Sequence, residues 1–385
     1  MINGNALMLL ILFFIVLTGA VFSYFIYPLV MLLLPKRDSS GGYINEMALP
    51  YVTLIITAHN EASRITSKLD NALALDYPLD RFEIIVASDM STDSTDDLVR
   101  AYDDHGVKLI RSDQHLGKEY AQSLAIVAAM GEILVFSDVA TEMPADSLRH
   151  LVANFSKSSV GAVSSEDRFI SADGTLVGEG AYVKYEMWLR GLESRVHSLV
   201  GLSGSFFAAR REVCEDWDIR VPSDFNIALN CVRQGLVAVS DPKVLGYYQD
   251  IKDPKREYQR KLRTIIRGLS AVWYHRDVLN PLRYGLFSFQ LWGHKVMRWL
   301  VPWFMLLLYG LSIALMAKGW LYKSVFYAES AFFLVALSAA LLPPLRSLSL
   351  FNIPFYFIQV NLAIAHATVL FVFGKRISVW QPSER

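Results

Sequence analysis

The chain has 385 residues, 53% of them hydrophobic, with 37 basic and 37 acidic side chains. Zero net charge excludes a global electrostatic attraction to nucleic acid, and the apolar fraction exceeds what an ordinary soluble domain uses. Two cysteines, Cys214 and Cys231, give neither a disulfide framework nor a metal cluster, which suits a reducing compartment.

The apolar excess begins at once. Ala6 to Leu34 carries no charge, and about 20 apolar residues span a bilayer core. This predicts a membrane helix within residues 1–36. The run is too long for the apolar part of a signal peptide and lacks a basic start, so it reads as a retained anchor. Lys36 and Arg37 follow it, and the positive-inside bias then puts residues 38–296 in the cytoplasm.

From residue 50 to 240 short apolar runs alternate with helix-forming stretches. Strands are predicted at 51–57, 82–88, 107–111, 132–137 and 160–165, and helices near 61–74, 94–104, 117–130 and 145–155. The alternation implies a mostly parallel sheet with helices on both faces. Asp96 and Asp97 fall in a first helical turn, where acids suit the dipole. Residues 180–200 read as a long helix. Residues 252–267 turn basic, and Pro281–Trp299 mixes Trp, Phe, His, Lys and Arg as interfacial segments do. Three further spans are predicted near Trp299–Ala317, Ala328–Leu342 and Ile353–Phe373. Three spans would leave the C-terminus outside, yet Lys375 and Arg376 follow the last one. Either one apolar segment is re-entrant or interfacial, or the charge bias is weakly broken.

Polar groups gather where strands end. His59, Asn60, Glu61 and Asp89 follow the first two strands, with neither common glycine-rich phosphate loop present. Carboxyl ends of strands are where open α/β sheets bind ligands, and these side chains suit a base and ribose. Asp138 ends the strand at 132–137 and reads either as a turn cap or as a ligand for a hard cation. Asp224 opens an apolar helix and reads either as an N-cap or as a general base. Lys118 is a phosphate contact or a solvated lysine. Arg260 and Arg263 suit a diphosphate or anionic lipid headgroups. His115, His294 and Cys214 have no partner at catalytic spacing.

In this order the segments resemble the family 2 inverting glycosyltransferases of the GT-A fold, in their membrane-embedded bacterial polysaccharide group. ITAHNE (56–61) is similar to the first-strand motif and VASDMSTDST (86–95) to its acidic segment. LGKEYAQSLA (116–125) resembles the Gly-Lys helix start, FSDVAT (136–141) the metal motif, and GLSGSFFAARR (201–211) the acceptor-side loop. WGHKVMRWLVP (292–302) resembles the lead into the C-terminal spans.

The resemblance implies a Rossmann-like GT-A domain over 45–250, basic and interfacial helices over 251–298, membrane helices over 299–374 and a tail over 375–385. It implies that Ala58, Asn60, Glu61, Asp89, Lys118 and Asp138 bind a nucleotide-sugar, UDP-linked in this group. Asp138 would hold Mg²⁺ or Mn²⁺, Arg260 and Arg263 the diphosphate, and Ser203, Gly204 and Ser205 the acceptor side. Asp224 would be the base. The implied acceptor is a glycan or lipid-linked glycan at a bacterial inner membrane, with polysaccharide-assembly proteins as further partners.

Three positions depart from the family pattern: Ala140 replaces the second metal carboxylate, Ser223 the first acid of the base motif, and Thr264 the tryptophan of processive synthases. The competing readings are a non-catalytic nucleotide-binding membrane scaffold of a polysaccharide complex and a transporter. The second fits poorly, because the apolar segments lack the several buried charges of a substrate path.

Overall fold

The computed structural model describes residues 4–37, 49–170, 181–249 and 254–377. They form two compact units. One comprises Met1–Leu33, Tyr258–Ile266 and Phe289–Lys375, the other Leu34–Glu257, Arg267–Ser288 and Arg376–Arg385.

The chain opens with α1 (Gly4–Val21) and α2 (Tyr27–Leu33), joined by a π-helical turn. The sheet unit then follows in alternation: β1 (Val52–Ala58), α3 (Ile65–Leu73), β2 (Phe82–Ser88), α4 (Thr95–Arg100), β3 (Val107–Arg111), α5 (Lys118–Ala128), β4 (Ile133–Asp138), α6 (Ser147–Ala153) and β5 (Val160–Ile170). After α7 (Ala181–Val196) come β6 (Phe206–Arg210), α8 (Ser223–Arg233) and β7 (Val237–Gln249). The strands lie in the order β3-β2-β1-β4-β6-β5-β7. Only β6 runs against its two neighbours.

The expectation of a mostly parallel α/β sheet holds, and the five expected strands are present. β1 and β2 are apolar on both faces because helices cover both. Leu54, Ile56 and Ile84 pack with Ile65 and Leu69 of α3 on one side. Ile55, Ile85 and Phe136 pack with Ala121 and Ala125 of α5 and Ile227 and Ala228 of α8 on the other. Each fully buried aliphatic or aromatic side chain contributes roughly 1.5–3 kcal/mol relative to exposure. Asp96 does more than favour a helix dipole. It is buried, accepts a hydrogen bond from Ser88 Oγ and pairs with Arg111, bracing β2 against β3.

The second half of the chain supplies α9 (Pro254–Tyr274), α10 (Pro281–Leu291), α11 (Met297–Leu315), α12 (Trp320–Leu341) and α13 (Ser349–Val372). Among the described residues, four helical segments are long and apolar enough to cross a membrane: Leu7–Leu33, Pro281–Lys318, Trp320–Leu341 and Ser349–Val372. The second is much longer than the span predicted at Trp299–Ala317. Helical geometry runs through the mixed segment before it, broken at Gly285 and carrying a π turn at Trp292–Val296.

In the helical unit Phe13 and Val16 of α1 pack on Leu308, Leu311 and Leu315 of α11. Gly293 faces the Tyr27 ring so closely that an added Cβ would lie 2.2 Å from it. Large apolar side chains such as Phe25, Leu334 and Leu350 stay more than 60% exposed. That is a surface suited to lipid, which solvates apolar groups but not bare backbone.

Candidate active site

The carboxyl ends of β1 and β2 are bent by two residues with left-handed backbone, Asn60 (φ 54°) and Met90 (φ 52°). Asn60 is a residue type that tolerates this geometry, whereas Met90 is not. Such conformations cost of order 1–3 kcal/mol and gather at functional sites. Asn60 Oδ1 accepts from the Thr92 backbone N–H at 2.7 Å, so its side chain ties the two loops together. Glu61 pairs with Arg64 at 2.6 Å, its N–H donates to Thr95 Oγ1, and the Asp89 N–H donates to the carbonyl of Ala58. Asp89 itself is fully buried.

Lys118 is not a solvated lysine. Its side chain is 7% exposed, and Nζ donates to Asp138 Oδ1 at 2.5 Å and to the Gly204 carbonyl at 2.8 Å. The turn that delivers it depends on Gly117, whose φ of 99° strains any side-chain-bearing residue. Glu119, the next residue, pairs with Arg267 at 2.6 Å with both side chains buried, and its carbonyl accepts from Trp217 Nε1. The Trp217 ring stacks on Phe136 of β4 at 5.2 Å. These contacts fix the start of α5 beneath the site.

The capping readings of the two aspartates fall away. Asp138 spends a carboxylate oxygen on Lys118, and α8 begins at Ser223 with Pro222 as its N-cap, leaving Asp224 inside the first turn. Asp224 Oδ2 lies 3.5 Å from where a Cβ on Gly204 would be. Lys118, Asp138, Gly204 and Asp224 thus form one contiguous cluster from four different segments. Ser203 and Ser205 flank it, their hydroxyls donating to Asp167 Oδ1 at 2.5 and 2.9 Å. Arg260 and Arg263 belong to the helical unit.

Sequence reasoning missed three residues. Asp167 orders the serine loop from 36 residues upstream in sequence. His115 lies beside Asp89, and its ring stacks on His59. Lys68, from α3, is buried and donates to Ser137 Oγ at 2.8 Å and the Thr141 carbonyl at 2.5 Å, anchoring the loop after Asp138. No local pattern announces any of them.

Burial pushes the Lys68 ammonium down from 10.5 to about 7, against the opposing pull of Asp138 and Glu142. Below pH 7 both folded and unfolded chains hold the proton. Between about 7 and 10.5 the unfolded chain holds more, so stability rises with pH there, by at most about 1.4 kcal/mol per pH unit. Unfolding midpoints of wild type should therefore climb from pH 7 to 9, and Lys68→Met should flatten that climb.

Mg²⁺ and Mn²⁺ take oxygen ligands, and Mg²⁺ retains several waters. Asp138 is 24% exposed at its side chain and keeps a second carboxylate oxygen, while Ala140 adds none. This fits an ion held by one carboxylate together with a diphosphate.

The sheet order, with its polar carboxyl edge, is that of a GT-A-like fold. Residues 53–217 match the family described as Glycosyl transferase family 2. The likeness to that family is confined to residues 53–217, within the sheet unit and less than half of the chain.

Among curated relatives, a beta-monoglucosyldiacylglycerol synthase of Nostoc sp. is 28% identical over 187 residues, covering 46% of this chain and 40% of that protein. The succinoglycan biosynthesis protein ExoO of Rhizobium meliloti is 33% identical over 104 residues, covering 27% and 29%. The chain spans less than half the length of these relatives. A solved mannosyltransferase of Pyrobaculum calidifontis, in complex with GDP-Man and Mn²⁺, superposes with a TM-score of 0.72 at 23% identity. It covers 96% of this chain and 100% of its own, a likeness of fold.

Proposed function

We propose that this protein is a membrane-bound inverting glycosyltransferase, moving a sugar from a UDP-linked donor to a glycan or lipid-linked acceptor at the bacterial inner membrane, with the sheet unit cytoplasmic. The observation that carries the reading is the single cluster of Lys118, Asp138, Gly204 and Asp224.

Ala58, Asn60, Glu61 and Asp89 form the nucleoside end. Asn60 and Glu61 shape it through their own hydrogen bonds, while Asp89 offers a buried carboxylate. Lys118 sets a positive charge where the leaving diphosphate gains negative charge. A Mg²⁺ or Mn²⁺ ion held through Asp138 would supply Lewis-acid stabilisation of that leaving group. Asp224 accepts the proton of the acceptor hydroxyl as its oxygen attacks the anomeric carbon. Ser203, Gly204 and Ser205 form the acceptor-side wall, and Gly204 leaves the Asp224 carboxylate room because it has no side chain. Four apolar helices would keep a lipid-linked acceptor near the site, raising its effective concentration.

A ligand that binds the native state raises apparent stability, so a thermal-shift panel of nucleotide-sugars in detergent tests the donor assignment. UDP-sugars should protect and GDP- or ADP-sugars should not. Protection by none of them would sink the donor reading. Protection by a donor without turnover on any acceptor would favour the scaffold.

A further inference from the structure

The far part of β5 carries a carboxylate that the transfer cluster does not use. β5 runs parallel to β4, because both pair antiparallel with the β6 between them, so Asp167 comes out at the same sheet edge as Asp138. Its Oδ1 receives the hydroxyls of Ser203 at 2.5 Å and Ser205 at 2.9 Å. Its Oδ2 makes no hydrogen bond or ion pair among the described residues, and it is not sealed from solvent. A carboxylate accepts at both oxygens, so half of this one is left for a ligand.

The loop beside it is held at every residue. The Ser203 N–H donates to Ser164 Oγ at 2.7 Å, and the same oxygen accepts from Nη2 of the buried Arg190 at 2.6 Å. The Gly204 carbonyl accepts from Lys118 Nζ at 2.8 Å, and the Ser205 carbonyl from the Asp138 N–H at 2.9 Å. The loop thus spends its carbonyls on the diphosphate-side groups and keeps its hydroxyl protons within the Ser203, Ser205 and Asp167 cluster. What the two serines then offer a ligand is lone pairs, beside the second oxygen of Asp167. Acceptors gathered in this way match a ligand rich in hydroxyl donors, which is the chemistry of a sugar.

We infer that Asp167, together with Ser203 and Ser205, binds a hydroxyl of the acceptor sugar and so sets acceptor specificity. The inference rests on the transferase reading above, which puts the acceptor at this loop. Asp167 Oδ2 accepts from a hydroxyl that does not react, while Asp224 takes the proton of the one that does. The pair fixes which hydroxyl is presented to the anomeric carbon.

The test uses the full chain in a sugar-free detergent, with octyl β-glucoside as the acceptor probe because it joins sugar hydroxyls to an alkyl tail. Asp167→Asn keeps one oxygen for the serines and turns the other into an NH₂ donor. It should raise the glucoside KM about 10- to 100-fold, the scale of one hydrogen bond to a charged group. The donor KM and kcat should stay near wild type. Among the monodeoxy glucosides that still react, one should lose the same factor in wild type and nothing further in Asp167→Asn, as a direct pair requires. An unchanged glucoside KM in Asp167→Asn would overturn the contact and leave Asp167 as a support for the loop. A rise in donor KM alone would overturn it in favour of the donor sugar. Wild type using every reactive monodeoxy glucoside as well as the parent would overturn it without any variant. These three results leave the transferase reading standing. Absence of transfer to the glucoside in wild type would instead overturn a sugar acceptor for that reading and this inference alike.

Discussion

Asp224→Asn should lower the turnover number about 10²- to 10⁴-fold, the usual contribution of a positioned general base. The substitution keeps the side-chain shape and removes the negative charge together with the capacity to take a proton. Asp224 lies in the first turn of α8, partly buried rather than in the core, so folding should be untouched. The N-cap position of that helix is Pro222, not Asp224. Donor KM should change little, because the base acts on the acceptor hydroxyl. Nucleoside diphosphate release under saturating donor and acceptor measures the effect. Turnover within a few-fold of wild type would remove Asp224 from the mechanism.

Lys118→Met should cost about 10²-fold in kcat/KM, the scale of losing one preorganised electrostatic partner of a developing charge. Methionine fills nearly the same volume but cannot hold Asp138 and the Gly204 carbonyl together. Asp138 would then face the incoming diphosphate without the ammonium that lies 2.5 Å from its Oδ1. The loss should appear in both donor KM and kcat, unlike that of Asp224→Asn. Lys118→Arg should not restore activity, since the larger planar guanidinium does not fit a site only 7% exposed. An unchanged kcat/KM in Lys118→Met would mean that Lys118 only supports the loop.

What the sequence disclosed follows the reach of each signal. β1, β2 and β4 were legible because helices on both faces make them near-continuous apolar runs. Their polar ends exposed Asp89 and Asp138 as candidates for the same reason. β7 was missed: its Ser240-Asp241-Pro242-Lys243 stretch interrupts any apolar pattern, and its register with β5 is irregular. The apolar helical segment before Met297 was underestimated because Arg283, His294 and Lys295 break the apolar run while the helix continues. Asp167, Lys68 and His115 were invisible for a third reason. Each acts through partners 26 or more residues away, from Ser203 and Ser205 to Ser137, Thr141 and Asp89. Only the folded sheet, with its loops, puts them there.

With Asp224 as base, the acceptor oxygen displaces the nucleoside diphosphate directly at the anomeric carbon. The anomeric configuration of the first product, read by proton NMR from a donor of known configuration, tests it most directly. Inversion is expected: an α-linked donor should give a β-linked product from the earliest time point. Retention would require a second displacement or an internal return, and would contradict the role given to Asp224.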